Sequence, residues 1–275
     1  MRLKRIINFI LLFSITSISA SSDTPEKMDT DLNFIIGAGA VYRPVFTGSR
    51  YYELMLIPNI SIDYKNRLFL SVEGLRFHLI KGYGLSIGPV AKYDFGREES
   101  GDDLLSIFRI AGEKQPDLKG LGSVNGTIEL GVFSEYRYKL FTWKINLYQG
   151  VNGHKSSNGD TGLNYRGIIK LWAPIIYAMG PHAVFAGSKY NNTYYGIDET
   201  QSARSGLNPY HAESGFISFG FNCLVMYPAI DSTSFLFFGD YGRLSREIGN
   251  SPVIKKYGSK NQFTSGIMIN YRFRY

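Results

Sequence analysis

Four histidines are the first residues to test for catalysis or metal binding: His78, His154, His182 and His211. No two of them stand four residues apart, and no His-Glu-x-x-His sequence occurs, so the zinc motif of helix-borne metalloproteases is excluded. The single cysteine, Cys223, excludes a disulfide framework and a thiolate zinc cluster.

One polar loop, residues 152–160, concentrates groups that a hydrolase could use. His154, Ser156 and Asn158 lie close together in it. Nucleophilic catalysis needs these groups held in a hydrogen-bonded geometry, and sequence proximity alone does not supply that. The loop is rich in Gly, Asn and Ser, which favours a solvated outer loop over a barrel hydrolase.

Two acidic pairs, Glu98-Glu99 and Asp102-Asp103, are candidate ligands for a divalent cation in another loop. Solvated charge is the favoured interpretation of such a run. The sequence therefore predicts a protein that is not an enzyme, with no catalytic, cofactor-binding or metal-binding residue.

The elements around these loops alternate in polarity with a period of two residues. In residues 53–64 Leu54, Leu56 and Ile60 fall on one side, opposite Glu53 and Asp63. This pattern is typical of a β-strand with one apolar and one polar face. It recurs in residues 83–96, 127–138, 141–151 and 266–275.

The length of these strands favours an antiparallel transmembrane β-barrel. They run to ten or more residues, whereas ordinary globular strands are about five or six residues long, and a tilted strand crosses a bilayer in roughly 9–11 residues. The apolar faces then meet lipid and the polar faces line the interior. The alternative is a secreted β-sandwich, whose strands should be shorter. Aromatic residues near strand ends suit interfacial girdles: Tyr64, Phe95, Tyr138 and Phe141.

The polar faces place charges of both signs in the predicted interior. These lumen charges are Lys92, Asp94, Glu129, Glu135, Lys144, Arg166 and Lys170. They either neutralise one another and close the lumen or line a narrow water path. The closed interpretation is favoured because long side chains can fill a small barrel.

Eleven strand segments are evident, but bacterial barrels normally have an even number. The segments are 33–43, 53–64, 67–79, 83–97, 122–138, 141–151, 162–174, 177–190, 213–227, 233–244 and 262–275. We predict twelve strands, with a hidden one in the N-terminal third, and a break at Gly74 is one candidate. Long loops are predicted at 97–121, 152–162, 191–212 and 245–262. No helical period competes with this pattern.

The N-terminus of the 275-residue chain reads as a secretory signal peptide, residues 1–22. Arg2, Lys4 and Arg5 precede an apolar run over 6–18, which is short for a membrane span. The barrel domain is then 23–275. Removing the signal removes three basic residues and lowers the net charge from +7 to +4. This mild charge gives no support for a nucleic-acid partner.

The C-terminal strand carries alternating aromatic residues, and the last strand must pair with the first so that no edge is left in lipid. Gly266, Tyr271, Phe273 and Tyr275 form a predicted assembly signal. The expected partners are outer-membrane lipid and the outer-membrane assembly machinery, which in many barrels recognises such a strand.

Short motifs in order along the mature chain resemble the MipA/OmpV family of outer-membrane proteins, also called MltA-interacting proteins. They span residues 34–273 and include Gly37-Ala38-Gly39, Tyr42-Arg43-Pro44, Tyr64-Lys65-Asn66-Arg67, Tyr93-Asp94-Phe95-Gly96-Arg97, Glu129-Leu130-Gly131, Tyr194-Tyr195-Gly196-Ile197, Gln201-Ser202-Ala203-Arg204-Ser205-Gly206-Leu207 and Tyr271-Arg272-Phe273. The family usually stops at the position of Phe273, and this chain adds Arg274-Tyr275.

The resemblance implies an outer-membrane barrel that acts as a scaffold for a murein-degrading lytic transglycosylase and a murein synthase. Other members are discussed as adhesins or as solute-permeability proteins. No catalytic motif comes with the family. The expected function is therefore a scaffold that presents its loops and turns to partners, with a passive pore for small solutes or a surface adhesin as the alternatives.

Overall fold

A computed structural model describes residues 31–99, 107–112, 118–230 and 232–274. The predicted signal peptide, the Asp102-Asp103 pair and Tyr275 lie outside the described residues.

The described chain is built from fourteen antiparallel strands, and the long ones have the length that a bilayer crossing needs. They are β1 (Leu32–Pro44), β2 (Tyr52–Tyr64), β3 (Leu68–Ser71), β4 (Gly74–Phe77), β5 (Ile80–Gly82), β6 (Leu85–Asp94), β7 (Arg109–Gly112), β8 (Thr127–Tyr138), β9 (Phe141–Gly150), β10 (Ser157–Lys170), β11 (Pro174–Ala186), β12 (Gly215–Ile230), β13 (Thr233–Leu244) and β14 (Asn261–Arg274).

The strands close into a barrel of twelve positions. From β8 to β14 each strand pairs with the next in sequence, and β14 pairs with β1, which also pairs with β2. The remaining order is β2, β3, β4, β6 and β8. Strands β4 and β5 both pair with β6, one after the other, so they count as one position. Strand β7 pairs with the edge of β2 from a loop and is not counted, so twelve positions remain. Pairing of the last strand with the first leaves neither end of the sheet as an open edge in lipid, as the apolar outer face requires.

The strand missing from the sequence count lies in the N-terminal third, where β3 and β4 form a short hairpin in place of one strand. The predicted break at Gly74 is confirmed. Ser71 pairs with Gly74, so Val72 and Glu73 form a two-residue turn. Gly74 has a φ of +127°, and a Cβ there would meet the carbonyl oxygen of Ala91. Only glycine adopts this conformation without strain. Strand β3 pairs only with Ile62–Tyr64 of β2, so the hairpin covers part of the height of the wall.

The two faces of each long strand fall as the period-two pattern predicts. In β2 Leu56 and Ile60 are exposed on the outer surface, whereas Glu53, Met55 and Ile57 are buried. The same alternation places Leu130 and Val132 of β8 outside. The apolar band therefore surrounds the barrel and the polar residues face its interior.

Two sequence predictions about the loops are wrong. The loop predicted at 152–162 is shorter, because β10 already begins at Ser157. Its Asn158 and Asp160 side chains, of types typical of turns, find partners inside: Asn158 donates to Glu129, and Asp160 Oδ1 accepts from Asn146 Nδ2 of β9 at 2.7 Å. The segments 187–214 and 245–260 also contain four short helices: α1 (Ser188–Tyr195), α2 (Glu199–Ser205), α3 (Arg246–Asn250) and α4 (Pro252–Tyr257).

Local capping explains why these loops form helices without a long helical period. Asp198 accepts from Gln201 N–H, and the Gln201 side chain accepts from Asp198 N–H, a capping box at the start of α2. Gly206 ends α2 in the left-handed conformation with a φ of 70°. Ser251 caps α4, whose first residue is Pro252. Within the described residues, every helix is too short and too polar to cross a membrane.

Long connections gather at one end of the barrel, the loop end, and tight connections at the other, the turn end. Lys65 and Asn66 both have a φ of 53°, and Tyr83 and Gly84 have 49° and 78°. Two consecutive positive φ values are the signature of the type I′ turns that join hairpins. Bacterial barrels place such short turns in the periplasm and their long loops outside.

Candidate functional site

The interior of the barrel divides into an apolar half and a charged half. The apolar cluster comes from β1, β2, β12, β13 and β14 and consists of Val41, Met55, Ile57, Leu224, Phe238 and Met268. Phe95, at the loop end of β6, packs against this cluster. The prediction that Phe95 belongs to an outer aromatic girdle is therefore wrong, because its ring covers apolar side chains inside the wall.

The charged half is centred on an ion pair between β6 and β8. Lys92 Nζ lies 3.0 Å from Glu129 Oε2, and the side chain of Glu129 is almost fully buried. The same ammonium lies 3.9 Å from the centre of the Tyr148 ring on β9. Two neighbours thus compensate the buried lysine, a carboxylate and an aromatic face.

A second ion-pair group lies nearer the turn end. Lys144 Nζ is 3.5 Å from Glu135 Oε2, and Arg137 donates to Glu135 Oε1 at 3.3 Å. Glu73 from the β3–β4 hairpin lies 4.0 Å from Arg76. The short hairpin thus adds a charge pair to the inner surface.

The predicted lumen charges do not form one network. Asp94 is buried at the loop end of β6, close to Glu129 and His154. Arg166 is partly buried on β10, where its N–H donates to the carbonyl of Leu140. Lys170 is exposed as the last residue of β10.

Sequence reasoning did not assign a third ion-pair group, in which two arginines share Glu53. Arg43 Nη2 lies 2.8 Å from Glu53 Oε1, and Arg109 Nε lies 2.8 Å from Glu53 Oε2. The inward position of Glu53 in the pattern of residues 53–64 was a usable signal. For Arg109 no such signal exists, because β7 is a four-residue strand and is too short to show a period.

His154 lies against two acids, Asp94 and Glu129, that the sequence predicted only as lumen charges. Ligand atoms of Asp94, Glu129 and His154 all lie within 4.8 Å of one another. Ser156 N–H donates to His154 Nδ1 at 3.1 Å, so the proton of the neutral ring is on Nε2. Nε2 then donates to Glu129 Oε1 at 3.1 Å. A metal at Nε2 would need that nitrogen deprotonated, and Lys92 competes for the same carboxylate.

Ser156 is also in the wrong arrangement for a nucleophile. Its Oγ donates to the backbone carbonyl of His154 at 2.6 Å, and it is the Ser156 N–H that contacts the imidazole. Asn158 donates to Glu129. These residues form a buried hydrogen-bond network and lack the serine–histidine contact of a hydrolase.

Helix α1 covers this network at the loop end. The Tyr194 hydroxyl donates to Asp94 Oδ2 at 2.9 Å, and the Tyr190 ring lies 5.0 Å from His154 between centroids. Ser251, ahead of α4, donates to the Tyr195 carbonyl at 2.6 Å. Burial raises the pKa of the Tyr190, Tyr194 and Tyr195 phenols, which favours their neutral form and the Tyr194 donation to Asp94.

Three residues of the predicted assembly signal, Gly266, Tyr271 and Phe273, lie on β14, beside β1, and Tyr275 is outside the described residues. Tyr271 is exposed on the outer surface, and its ring centroid is 4.8 Å from that of Phe273. Phe273 also lies 5.6 Å from Phe34 of β1. A Cβ at Gly266 would meet the Phe238 ring, so glycine makes room for the apolar cluster.

Comparison with known proteins agrees with this architecture. The sequence profile of the family described as MltA-interacting protein MipA matches residues 36–273. Outer membrane protein Omp26La of Vibrio anguillarum and outer membrane protein OmpV of Vibrio cholerae serotype O1 are each 27% identical over 157 residues. That match covers 57% of this chain and 58% of each relative.

Solved structures show a more distant likeness. The COG4313 outer membrane channel from Pseudomonas putida F1 aligns with 88% of this chain and 94% of its own, at 10% identity and a TM-score of 0.42. The family match over most of the chain, together with the closed barrel, places the protein in the outer membrane. The chain belongs to the MipA/OmpV family of outer-membrane β-barrel proteins.

Proposed function

We propose that this protein is an outer-membrane scaffold, which presents its turn end to a murein-processing enzyme of the lytic transglycosylase class. The observation that carries the proposal is the obstruction of the lumen by side chains. The apolar cluster projects into one half of the interior and the ion-pair groups project into the other. An obstructed barrel works through its surfaces. The family description, MltA-interacting protein, supports the class of partner.

The turn end offers a surface suited to a protein partner. Tyr83, Trp172 and Ile230 are 105%, 84% and 74% exposed. Exposed lysines lie beside them at Lys65 and Lys170. Trp and Tyr are among the residue types most enriched in binding hot spots. The tight turns fix the backbone that carries these side chains, which lowers the entropy cost of binding.

Photo-crosslinking in intact envelopes tests the proposal. A photoreactive amino acid replaces Tyr83 or Trp172, and a matched control replaces the exposed Arg204 on α2 at the loop end. We expect the turn-end probes to capture a murein enzyme and the control to capture none. Equal capture at both ends, or no murein enzyme at Tyr83 and Trp172, would contradict the scaffold. Loss of surface attachment on deletion of 191–212 would favour an adhesin.

Conductance separates the scaffold from a passive pore. Purified protein in planar bilayers should give no unit steps, because the apolar cluster and the ion pairs obstruct the lumen. Lys144→Ala is the matched positive control. It removes a long side chain from the charged half of the lumen, so unit steps are expected from this variant. Reproducible unit steps from the unmodified protein would overturn the scaffold in favour of the pore.

A further inference from the structure

A cavity of about 300 Å3 lies in the loop-end half of the barrel, between the apolar cluster and α1. Pockets for small organic molecules begin at about this volume. Leu224 and Phe238 of the apolar cluster line it, together with Val184. Tyr190 and Tyr194 line it from α1. The cavity is thus largely apolar and aromatic.

Four charged side chains border this cavity, and three of them have partners. Arg43 pairs with Glu53 at 2.8 Å. Asp94 accepts from Gly96 N–H at 2.8 Å and from the Tyr194 hydroxyl at 2.9 Å. Asp240 Oδ2 lies 3.4 Å from His182 Nδ1. The fourth is Arg97, directly after β6.

Arg97 is 7% exposed, and within the described part of the chain no carboxylate forms an ion pair with it. Its Nη1 donates to the Tyr194 carbonyl at 2.6 Å, and its Nε has no hydrogen-bond partner. The nearby Glu99 accepts from Gly120 N–H. Burial lowers the pKa of the guanidinium, which reflects the cost of holding this charge away from water.

A buried guanidinium without a counter-charge costs free energy that an anionic ligand would recover. The planar guanidinium suits a carboxylate, which it binds with two parallel N–H donors. The apolar lining suits a hydrocarbon or aromatic body attached to that carboxylate.

We propose that this cavity binds a small amphipathic carboxylate, with its carboxyl group on Arg97 and its apolar body against Leu224 and Phe238. The cavity is separate from the turn-end surface, so an experiment that contradicts one proposal leaves the other unaffected.

Isothermal titration of the folded full-length barrel in lipid nanodiscs tests this site. The probes are phenylacetate, 3-phenylpropionate and hexanoate, each compared with its neutral amide. We expect at least one acid to bind saturably and to be preferred over its amide by about 10- to 100-fold, as for a buried charge-assisted hydrogen bond. Arg97→Gln should abolish that preference, Arg97→Lys should keep part of it, and Arg204→Gln should leave it unchanged.

A second variant keeps the proposal falsifiable if Arg97→Gln does not fold. Val184→Phe fills the cavity and leaves Arg97 in place, so it should abolish binding of the acid and of the amide. Heat-dependent gel mobility verifies folding of each variant. Three results would overturn the site: no saturable binding of any probe acid, equal binding of acid and amide, or a preference that survives Arg97→Gln in folded protein.

Discussion

Replacing Glu53 with glutamine should destabilise the barrel more than its small change in size suggests. Glu53 is 1% exposed and holds two arginines, Arg43 and Arg109, each at 2.8 Å. Glutamine keeps the volume and one acceptor oxygen but removes the charge. Both guanidinium side chains, 13% exposed, then lose their counter-charge.

The expected loss is about 3 kcal/mol in the free energy of unfolding, at the low end of the range for breaking a buried ion pair because the arginines retain some contact with water. This corresponds to a change of roughly 100-fold in the folding equilibrium. Adding Arg109→Met to Glu53→Gln should recover part of the loss, because it removes one of the uncompensated charges. The double variant should therefore lose less than the sum of the single variants.

Urea unfolding from lipid vesicles measures this, with the fluorescence of the outward-facing Trp143 as the signal and gel mobility after heating as the second probe. The matched control is Glu213→Gln, an exposed acid ahead of β12, which should stay within about 0.5 kcal/mol of the unmodified protein. If Glu53→Gln were as stable as this control, the reasoning from buried ion pairs would be refuted. A double variant that loses the full sum would show that the arginines do not depend on Glu53 jointly.

Three further outcomes follow from the structure. Gly74→Ala should cost about 1–3 kcal/mol in the free energy of unfolding, because the hairpin needs a φ of +127° there. The matched control is Gly82→Ala, whose Cβ would meet open space. Equal stability of the two variants would contradict the strain argument. The free energy of unfolding should stay constant below about pH 10 and fall as the pH rises above it. The pKa values of Tyr190, Tyr194 and Tyr195 are raised, so the folded state keeps protons that the unfolded state releases. Urea midpoints that do not change between pH 9 and pH 12 would be inconsistent with this. Tyr194→Phe should cost about 1–3 kcal/mol in the urea assay, because it removes the donor to the buried Asp94, and a neutral result would mean that water replaces the hydroxyl.

The faces of the strands could be predicted from the sequence, because alternation is a local consequence of strand geometry. Leu56 and Glu53 fall on opposite sides of β2 whatever the strand pairs with. The same pattern identified Lys92 and Glu129 as inward residues of β6 and β8. It also allowed the missing strand to be sought at Gly74, because a closed barrel needs an even count.

Partners could not be predicted in the same way. Arg109 reaches Glu53 from 56 positions along the chain, through a strand too short to show a period. His154 was predicted in a solvated loop, yet it is buried, and only its contacts with Ser156 N–H and Glu129 define which ring nitrogen carries the proton. Phe95 alternates like an outer residue, yet it packs onto the apolar cluster.

The sequence by itself therefore determined a membrane barrel, its lipid-facing side and the type of residue that lines its interior. Each of these follows from the alternation of polar and apolar residues along a strand, which is a local pattern. The tertiary structure alone decided which charges meet, which loops become helices, and that Arg97 lies beside a cavity with no ion-pair partner among the described residues. Barrel closure and the folding of the loops over it bring together residues far apart in the chain, and no local pattern records those distances.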